Sequence, residues 1–279
     1  MPLVTTAELV GDAGSRGRGI AAFNVITLEH AEGIVAGAQR SGRPVILQVS
    51  ENTVKFHAGQ MRPLAAALTA LASEAAVPVG LHLDHAETAA LWHDAAMAGY
   101  SSVMVDCGWL PYEQNAATTA DVTELLHAQG LAVEAELGHV GGKDTQVASA
   151  HEPGVRTDPV QAAAFVAATG VDALAVAVGS SHAMTTQTAE LDLELVAALR
   201  DAVRVPLVLH GSSGVPDDTL RDAVRAGIVK VNIGTTLNVA YTGALREALS
   251  DKADPRPSLN AARTAVADTV AHLLDVVGG

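Results

Sequence analysis

Three histidines close three apolar runs of this 279-residue chain: His85 in Leu81-His82-Leu83-Asp84-His85, His182 in Val178-Gly179-Ser180-Ser181-His182, and His210 in Leu207-Val208-Leu209-His210. A neutral imidazole nitrogen is the commonest protein ligand for zinc. Three protein ligands with one position left open is the pattern of a catalytic rather than a structural site. An open position allows the ion to polarise a carbonyl as a Lewis acid. Asp84, adjacent to His85, adds a carboxylate of the kind that moves protons beside such a carbonyl. With 11 histidines in the chain, any one of the three taken alone reads as readily as a hydrogen-bonded structural residue. His82, His139 and His151 carry that plainer reading, and His139 also stands near a run's end, where an accessory group could sit. The three together, on one rim, make the metal reading.

A second constellation follows the last two apolar runs. One leads into His210-Gly211-Ser212-Ser213-Gly214 and the other into Asn232-Ile233-Gly234-Thr235-Thr236. Small-residue turns that open a helix offer backbone N–H groups and hydroxyls to an anion, aided by the helix dipole. A lone Gly-Ser-Ser-Gly is weak, since glycine also simply ends strands; its place beside His210 gives it weight. A metal and a phosphate cradle on one rim point to a phosphorylated carbonyl substrate. The chemistry would be proton abstraction beside the carbonyl, with the metal stabilising the enediolate and Asp84 as acid/base.

The elements that must hold these residues are legible as eight short, near-continuous runs of Val, Ile, Leu and Ala: Gly19–Val25, Pro44–Ser50, Val77–His85, Ser102–Cys107, Leu131–Gly138, Asp172–Gly179, Val205–Gly211 and Ile228–Gly234. Such runs suit strands buried on both faces. Helical spacing fills the intervals: Thr27–Arg40 (with Thr27 as N-cap), Met61–Ala76, Thr88–Ala98, Glu113–Gln129, Asp158–Thr169, Leu191–Val203, Asp217–Ala226 and Thr235–Ser250. Eight strand–helix units predict a TIM (β/α)8 barrel over residues 1–279, with a doubly wound open sheet as the alternative. Residues 5–16 read as an extra N-terminal helix. Residues 251–279 read as a Pro-Arg-Pro break followed by a C-terminal helical extension that caps the barrel or contacts another subunit. The polar stretch Gly141–Thr157 is the longest loop, a place where barrels carry lids. In this fold the catalytic groups lie at the carboxyl ends of the strands, where all three histidines fall.

Composition narrows the field. Hydrophobic residues make up 49% of the chain and aromatics only 3%, so the core is aliphatic, as a barrel interior of branched side chains requires. A net charge of −14 with 17 Lys plus Arg argues against nucleic acid and anionic membrane as partners. It does not oppose an anionic small molecule held by backbone amides. One cysteine, Cys107, excludes an internal disulfide. The start of the chain does not read as a signal peptide, and no apolar stretch approaches 18 residues, so a cytoplasmic protein is expected.

These motifs, taken together, resemble the class II fructose- and tagatose-bisphosphate aldolases. The resemblance runs in register over nearly the whole chain: AAFN ending at Asn24, LQVS ending at Ser50, Asp84-His85, VEAELG with Glu134 and Glu136, His182, His210 within LVLHGSSG, Asn232 within VNIGTT, and Asp254-Pro255-Arg256. It implies zinc held by His85, His182 and His210, with Glu136 as an alternative or second metal contact. It implies Asp84 as the group that protonates the aldehyde oxygen as the carbon–carbon bond forms and removes that proton in cleavage. Gly211, Ser212, Ser213, Asn232, Gly234 and Thr235 are assigned to the phosphate of dihydroxyacetone phosphate. Gly179, Gly211 and Ser213 are assigned to a monovalent cation, Na+ or K+, and Asn24 and Ser50 to substrate oxygens. Arg256 resembles the arginine that a neighbouring subunit offers to a second phosphate, which implies a homodimer or homotetramer; by spacing alone it reads as a solvated surface residue.

Three departures from the family pattern stand out. Ala183 follows the sixth-strand histidine where the family usually has glycine. The loop beginning Gly141-Gly142-Lys143-Asp144-Thr145 is short and lacks the usual glutamate. The fourth strand ends Cys107-Gly108-Trp109 rather than Gly-Ser-His. These changes lie toward the aldehyde side, so an aldolase for another dihydroxyacetone-phosphate-derived substrate stays open. So do a metal-dependent hydrolase on the same fold and a non-catalytic sugar-phosphate binder.

Overall fold

The computed structural model describes residues 2–138 and 156–279. The chain enters through α1 (Thr6–Ser15), whose start is set by a capping box: Thr5 Oγ1 accepts from the Glu8 amide and Glu8 Oε2 accepts from the Thr5 amide. There follow β1 (Ile20–Asn24), α2 (Leu28–Ser41), β2 (Val45–Ser50), α3 (Glu51–Phe56), α4 (Met61–Glu74), β3 (Val79–Ala86), α5 (Ala89–Ala98), β4 (Ser102–Val105), α6 (Tyr112–Ala128) and β5 (Ala132–Leu137). The second half runs α7 (Pro159–Thr169), β6 (Ala173–Val176), α8 (Leu193–Ala202), β7 (Leu207–Leu209), a 3-10 turn at Ser212–Gly214, α9 (Asp217–Ala226), β8 (Ile228–Ile233), α10 (Thr235–Ala248) and α11 (Arg256–Val277). All eight strands are parallel, each pairs with the next, and β8 pairs with β1. The open-sheet alternative is thereby excluded, and the fold is a TIM barrel.

Local chemistry explains several boundaries. Asp158 accepts from the Val160 and Gln161 amides ahead of α7, and Asp192 from Leu195 ahead of α8. Thr27 occupies the N-cap position of α2, but its hydroxyl meets His30 Nδ1 at 3.1 Å instead of a helix amide. The short α3 was not anticipated; Ser50 caps it by accepting from the Thr53 amide. The C-terminal extension begins at Arg256 with Pro257 inside its first turn, where a proline costs no hydrogen bond, so the Pro-Arg-Pro segment starts the helix rather than interrupting the chain. α11 lies against α2 of its own chain. A Cβ at Gly33 would meet the Arg263 carbonyl and Val266, and one at Gly37 the Ala267 carbonyl and Val270, so these two glycines let the helices touch backbone to backbone.

One expectation about the interior is corrected. Successive side chains of a strand point to opposite faces, and on β3, β5 and β8 one of those faces is polar. His82 and Asp84, Glu134 and Glu136, and Lys230 and Asn232 are all buried, at most 9% exposed, while Leu81, Leu83, Val133, Ala135, Val231 and Ile233 join the aliphatic core beneath the helices. On these three strands the barrel carries a wired polar stack in place of branched aliphatics.

Candidate active site and metal centre

β3 delivers Asp84 and His85 side by side but in different ways. Asp84 continues the strand, facing Ser50 of β2 in register. His85 takes φ = +47°, a left-handed conformation unusual for a side chain with a Cβ, and this turn aims its ring over the barrel mouth. Its Nδ1 lies 2.6 Å from Asp106 Oδ2, just past β4. A carboxylate can only accept, so Nδ1 carries the proton and Nε2 keeps its lone pair. His210, just past β7 and fully buried, is oriented the opposite way: Nε2 donates to Glu134 Oε1 at 2.9 Å, leaving the Nδ1 lone pair facing Glu136 Oε2 at 3.4 Å. His182 completes the group, with its ring centroid 5.4 Å from that of His85 and 5.9 Å from that of His210.

One donor atom from each of His85, Glu136, His182 and His210 lies within 4.8 Å of every other. Donors sharing one zinc at about 2.1 Å are separated by at most about 4.2 Å, so a small inward movement closes the set. His210 Nδ1 and Glu136 Oε2 are buried and have no hydrogen-bond partner. Two orphaned buried acceptors facing each other are costly unless something positive lies between them. Three imidazoles and one carboxylate fit zinc better than magnesium, which prefers oxygen.

Asp84 sits beside this group, held by two carboxamides: Asn24 Nδ2 at 3.2 Å on one oxygen and Asn232 Nδ2 at 3.3 Å on the other. Gln48 Nε2 in turn donates to Asn24 Oδ1 at 2.8 Å. Burial works to raise the Asp84 pKa, but His85, His210, Lys230 and His82 together outweigh it and bring it down to about 2, so the carboxylate is ionised and able to accept a proton. Below it, burial also works against ionised Glu134, and the Lys230 ammonium with the hydrogen bond from His210 overrides that, holding the carboxyl below the usual range. His82 is pushed down to about 3, by burial first and by Lys230 second; it is a neutral neighbour that shares a 2.7 Å hydrogen bond with Ser102.

The other wall is the turn after β7 and the start of α10. Gly211 adopts φ = +66°, and a Cβ there would lie 2.7–2.9 Å from the Ser181 backbone, so no other residue passes without moving it. Ser212 Oγ donates to the Asn232 carbonyl at 2.6 Å, and Ser213 Oγ accepts from the Thr236 amide at 3.1 Å, stitching the two turns together. Gly234 has no Cβ to strike Asn24 Oδ1, and α10 begins directly after it. A cavity of about 440 Å³ lies between this cradle and the donor cluster.

Asn24, Ser50, Asp84, His85, His182, His210, Gly211, Ser212, Ser213, Asn232, Gly234 and Thr235 all line that cavity, and Glu136 joins the donor cluster. Two expected residues do not line it. Gly179, at φ = +122°, lacks a side chain because the Glu190 carbonyl passes against it, which is a packing reason. Arg256 is 86% exposed and paired with Asp254 at 2.8 Å. His139, Lys143, Asp144 and His151 lie outside the described residues. Sequence reasoning missed Gln48, Asn52, Thr53, Phe56 and Asn238 in the lining and Asp106 and Lys230 behind it, and it named Glu134 within VEAELG without giving it a role. The signal for Glu134 and Lys230 was present as polar residues alternating through VEAEL and VKVNI.

Ala183 borders the cavity at φ = +60°, a conformation that glycine adopts freely. The left-handed state costs an L-residue roughly 1–2 kcal/mol, and the greater freedom of glycine in the unfolded chain returns about 0.5–1 kcal/mol of that difference. Ala183→Gly is therefore expected to raise the melting temperature by about 2–4 °C for a chain of this size. Thermal unfolding with and without metal checks it; a fall would mean that the methyl group makes contacts worth more than the strain.

Comparison with known proteins places this geometry. The family model described as class-II fructose-bisphosphate aldolase matches residues 4–279. A probable fructose-bisphosphate aldolase of Bacillus subtilis (strain 168) is 37% identical over 275 residues, 97% of this chain and 95% of the relative. Among solved structures, the X-ray crystal structure of the YdjI aldolase from Escherichia coli K12 aligns with a TM-score of 0.87 at 33% identity, covering 99% of this chain and 97% of that one. A putative fructose-1,6-biphosphate aldolase from Coccidioides immitis aligns with a TM-score of 0.87 at 27% identity, covering 98% and 95%.

Proposed function

The chain belongs to the class-II fructose-bisphosphate aldolase family, and on that premise we propose that it is a lyase catalysing zinc-dependent, reversible aldol cleavage of a ketose 1,6-bisphosphate. The sugar is fructose- or tagatose-1,6-bisphosphate, and the products are dihydroxyacetone phosphate and an aldehyde such as glyceraldehyde 3-phosphate. The observation that carries this reading is a carboxyl group, Asp84, pinned by Asn24 and Asn232 immediately beside a cluster of three imidazoles.

His85, His182 and His210 would hold the ion, with Glu136 as the fourth donor in the resting site. Bound there, zinc supplies a Lewis acid for the ketose oxygens. Asp84 takes the proton of the substrate hydroxyl whose carbon becomes the aldehyde, and returns it in the direction of synthesis. Asn24 and Asn232 keep the carboxylate oriented while one oxygen works. The Gly211–Ser213 turn and the first amides of α10 hold the C1 phosphate, which fixes the sugar relative to Asp84 and lowers the entropic cost of reaction. Gly179, Gly211 and Ser213 would also serve a monovalent cation, Na+ or K+. Arg256, absent from the lining of its own chain, suits service to a neighbouring subunit in a homodimer or homotetramer. No helix among the described residues is long and apolar enough to cross a membrane.

The direct test is release of dihydroxyacetone phosphate from each of the two bisphosphates, with and without a chelator. Chelator-sensitive release from either supports the reading, and the ratio of the two rates names the sugar. No release from zinc-loaded protein would overturn it. A second reading rests on an observation of its own: among the described residues no lysine or arginine lines the cavity, and its outer wall includes Ile26 and Phe56. Those surroundings favour the same cradle working on a ketose 1-phosphate whose aldehyde half is uncharged, so fructose 1-phosphate belongs in the same assay.

The cradle makes its own prediction. Thr235→Val keeps the shape of the α10 start and removes one hydroxyl from the cavity wall. A hydrogen bond to a charged group is worth roughly 1.5–3 kcal/mol, so KM for the phosphorylated ketose is expected to rise about tenfold or more, with zinc content unchanged. Steady-state kinetics at saturating zinc would show it.

A further inference from the structure

Lys230 is 1% exposed, one of the largest fully buried side chains, and it belongs to neither the donor cluster nor the cavity wall. An ammonium that far from water is tolerated only if it is paired. Its Nζ donates to Glu134 Oε2 at 2.8 Å and to Asn232 Oδ1 at 2.8 Å. Both bonds lead into the active site, one through Glu134 to His210 and the other through Asn232 to Asp84 and His210. Glu134, through its other oxygen, accepts from His210 Nε2 at 2.9 Å. Asn232, through its amide nitrogen, reaches Asp84 Oδ1 at 3.3 Å and also lies 2.9 Å from His210 Nε2.

A lysine ammonium has three protons and no lone pair, so it can only donate. That fixes two choices of orientation. Glu134 must remain an acceptor, which keeps the proton of His210 on Nε2 and the lone pair of Nδ1 on the side of Glu136 and the other imidazoles. Asn232 must turn its oxygen down to Lys230, which leaves its NH2 group on the side of Asp84 and His210. Strand geometry makes both contacts possible at once, because Lys230 and Asn232 are two residues apart on β8 and so face the same way. Glu134, on β5, approaches from across the barrel.

We infer that Lys230 is a positioning residue that sets the metal centre and the catalytic carboxylate together, through Glu134 and Asn232 respectively. The inference rests on the aldolase reading above for the roles of His210 and Asp84. The competing role is plain charge balance: Lys230 neutralises buried Glu134 and does nothing more. The two differ once the charge is balanced by other means.

The experiment compares Lys230→Met with the double variant Lys230→Met/Glu134→Gln, which removes both charges while keeping an oxygen opposite His210 Nε2. Zinc affinity is read by competition with a chromophoric chelator, kcat at saturating zinc by dihydroxyacetone phosphate release, and folding by thermal unfolding. For Lys230→Met, zinc affinity is expected to fall about tenfold to a hundredfold, the usual effect of losing a group behind a metal ligand. For the double variant, the fold recovers but kcat stays down by about tenfold or more, since Asn232 is still released. Wild-type zinc affinity in folded Lys230→Met, or wild-type kcat in the double variant, would overturn the proposal in favour of charge balance. So would failure of both variants to fold, since orientation is work the barrel can lose without collapsing. If the wild-type protein releases no dihydroxyacetone phosphate at all, the aldolase reading falls by itself, and the zinc arm still decides whether Lys230 organises the metal centre.

Discussion

Asp84→Ala is expected to lower kcat for cleavage by about a thousandfold, within the range of 10²–10⁴ that a positioned general acid or base supplies, and to leave zinc bound. The second half of that expectation comes from geometry. The four donors are His85, Glu136, His182 and His210, and Asp84 is not among them. Its oxygens are instead spent on Asn24 and Asn232. Removing the side chain takes an acceptor from half-buried Asn24 and buried Asn232 and leaves the positive charge of Lys230 less well balanced, so some stability is lost, up to about 1–3 kcal/mol per group left unsatisfied. Asp84→Asn preserves the shape and much of the hydrogen bonding and separates that loss from the chemistry; its kcat should fall as far. A further measurement localises the step. If Asp84 handles only the proton of the hydroxyl that becomes the aldehyde, both variants still exchange the labile carbon-bound hydrogen of dihydroxyacetone phosphate with solvent. Loss of exchange together with cleavage would assign Asp84 to both proton transfers. Cleavage at the wild-type rate in zinc-loaded Asp84→Ala would remove it from the mechanism.

Why Asp84 was legible in the sequence, while the residues that govern it were not, has a physical explanation. Strand ends are marked by a change from apolar to polar, and the barrel puts chemistry at those ends; so His85, His182 and His210, and the turns at Gly211 and Gly234, could be read directly. The eight runs likewise closed into the barrel they predict. What lies beneath the rim is harder, because the helix-facing residues of β3, β5 and β8 are apolar and the runs look continuous. Yet His82 and Asp84, Glu134 and Glu136, and Lys230 and Asn232 alternate with them, and the pairs Lys230–Glu134 and Asn232–Asp84 are joined by side-chain hydrogen bonds across the barrel. Spacing along one strand says which residues share a face. It does not say which residue on another strand they will meet. The helix α3 was hidden for a related reason. Glu51 has a side chain only 6% exposed, and it accepts from the Glu87 and Thr88 amides, so the segment is held by a distant strand end and carries little helical periodicity of its own. Arg256 is a different case: the motif in register assigns it to a neighbouring subunit's site, and within one chain it pairs with Asp254 at the surface.

Stripping the metal is expected to have the larger effect of the two: cleavage falls to the uncatalysed background after exhaustive chelation and returns on adding zinc, but not magnesium. On the proposed mechanism Asp84 moves one proton, whereas the ion would supply the strong electrophile of the site. Among the described residues no lysine or arginine reaches the cavity to take over that role. Magnesium fails because three of the four donors are imidazoles. Chelation should also lower the melting temperature, since an ion bound only by the folded state adds about 4 kcal/mol of stability at a thousandfold excess over its dissociation constant. The sign of the pH effect follows from the donors as well. Protons compete with the metal for imidazole nitrogens, so zinc should be easier to strip at about pH 5 than at about pH 8. Two substitutions test the donor set. His182→Ala leaves His85, His210 and the Glu136 carboxylate, so zinc should bind more weakly than in the wild type and cleavage should be lost because the carboxylate then stays on the ion. Glu136→Gln leaves three imidazoles and should keep zinc, because three protein ligands with one open position suffice for a catalytic site. Equal zinc loss in both would make Glu136 a permanent ligand and leave no open position for the substrate. Undiminished cleavage in fully chelated protein would sink the metal mechanism altogether, and would leave the partnerless His210 Nδ1 and Glu136 Oε2 without a purpose.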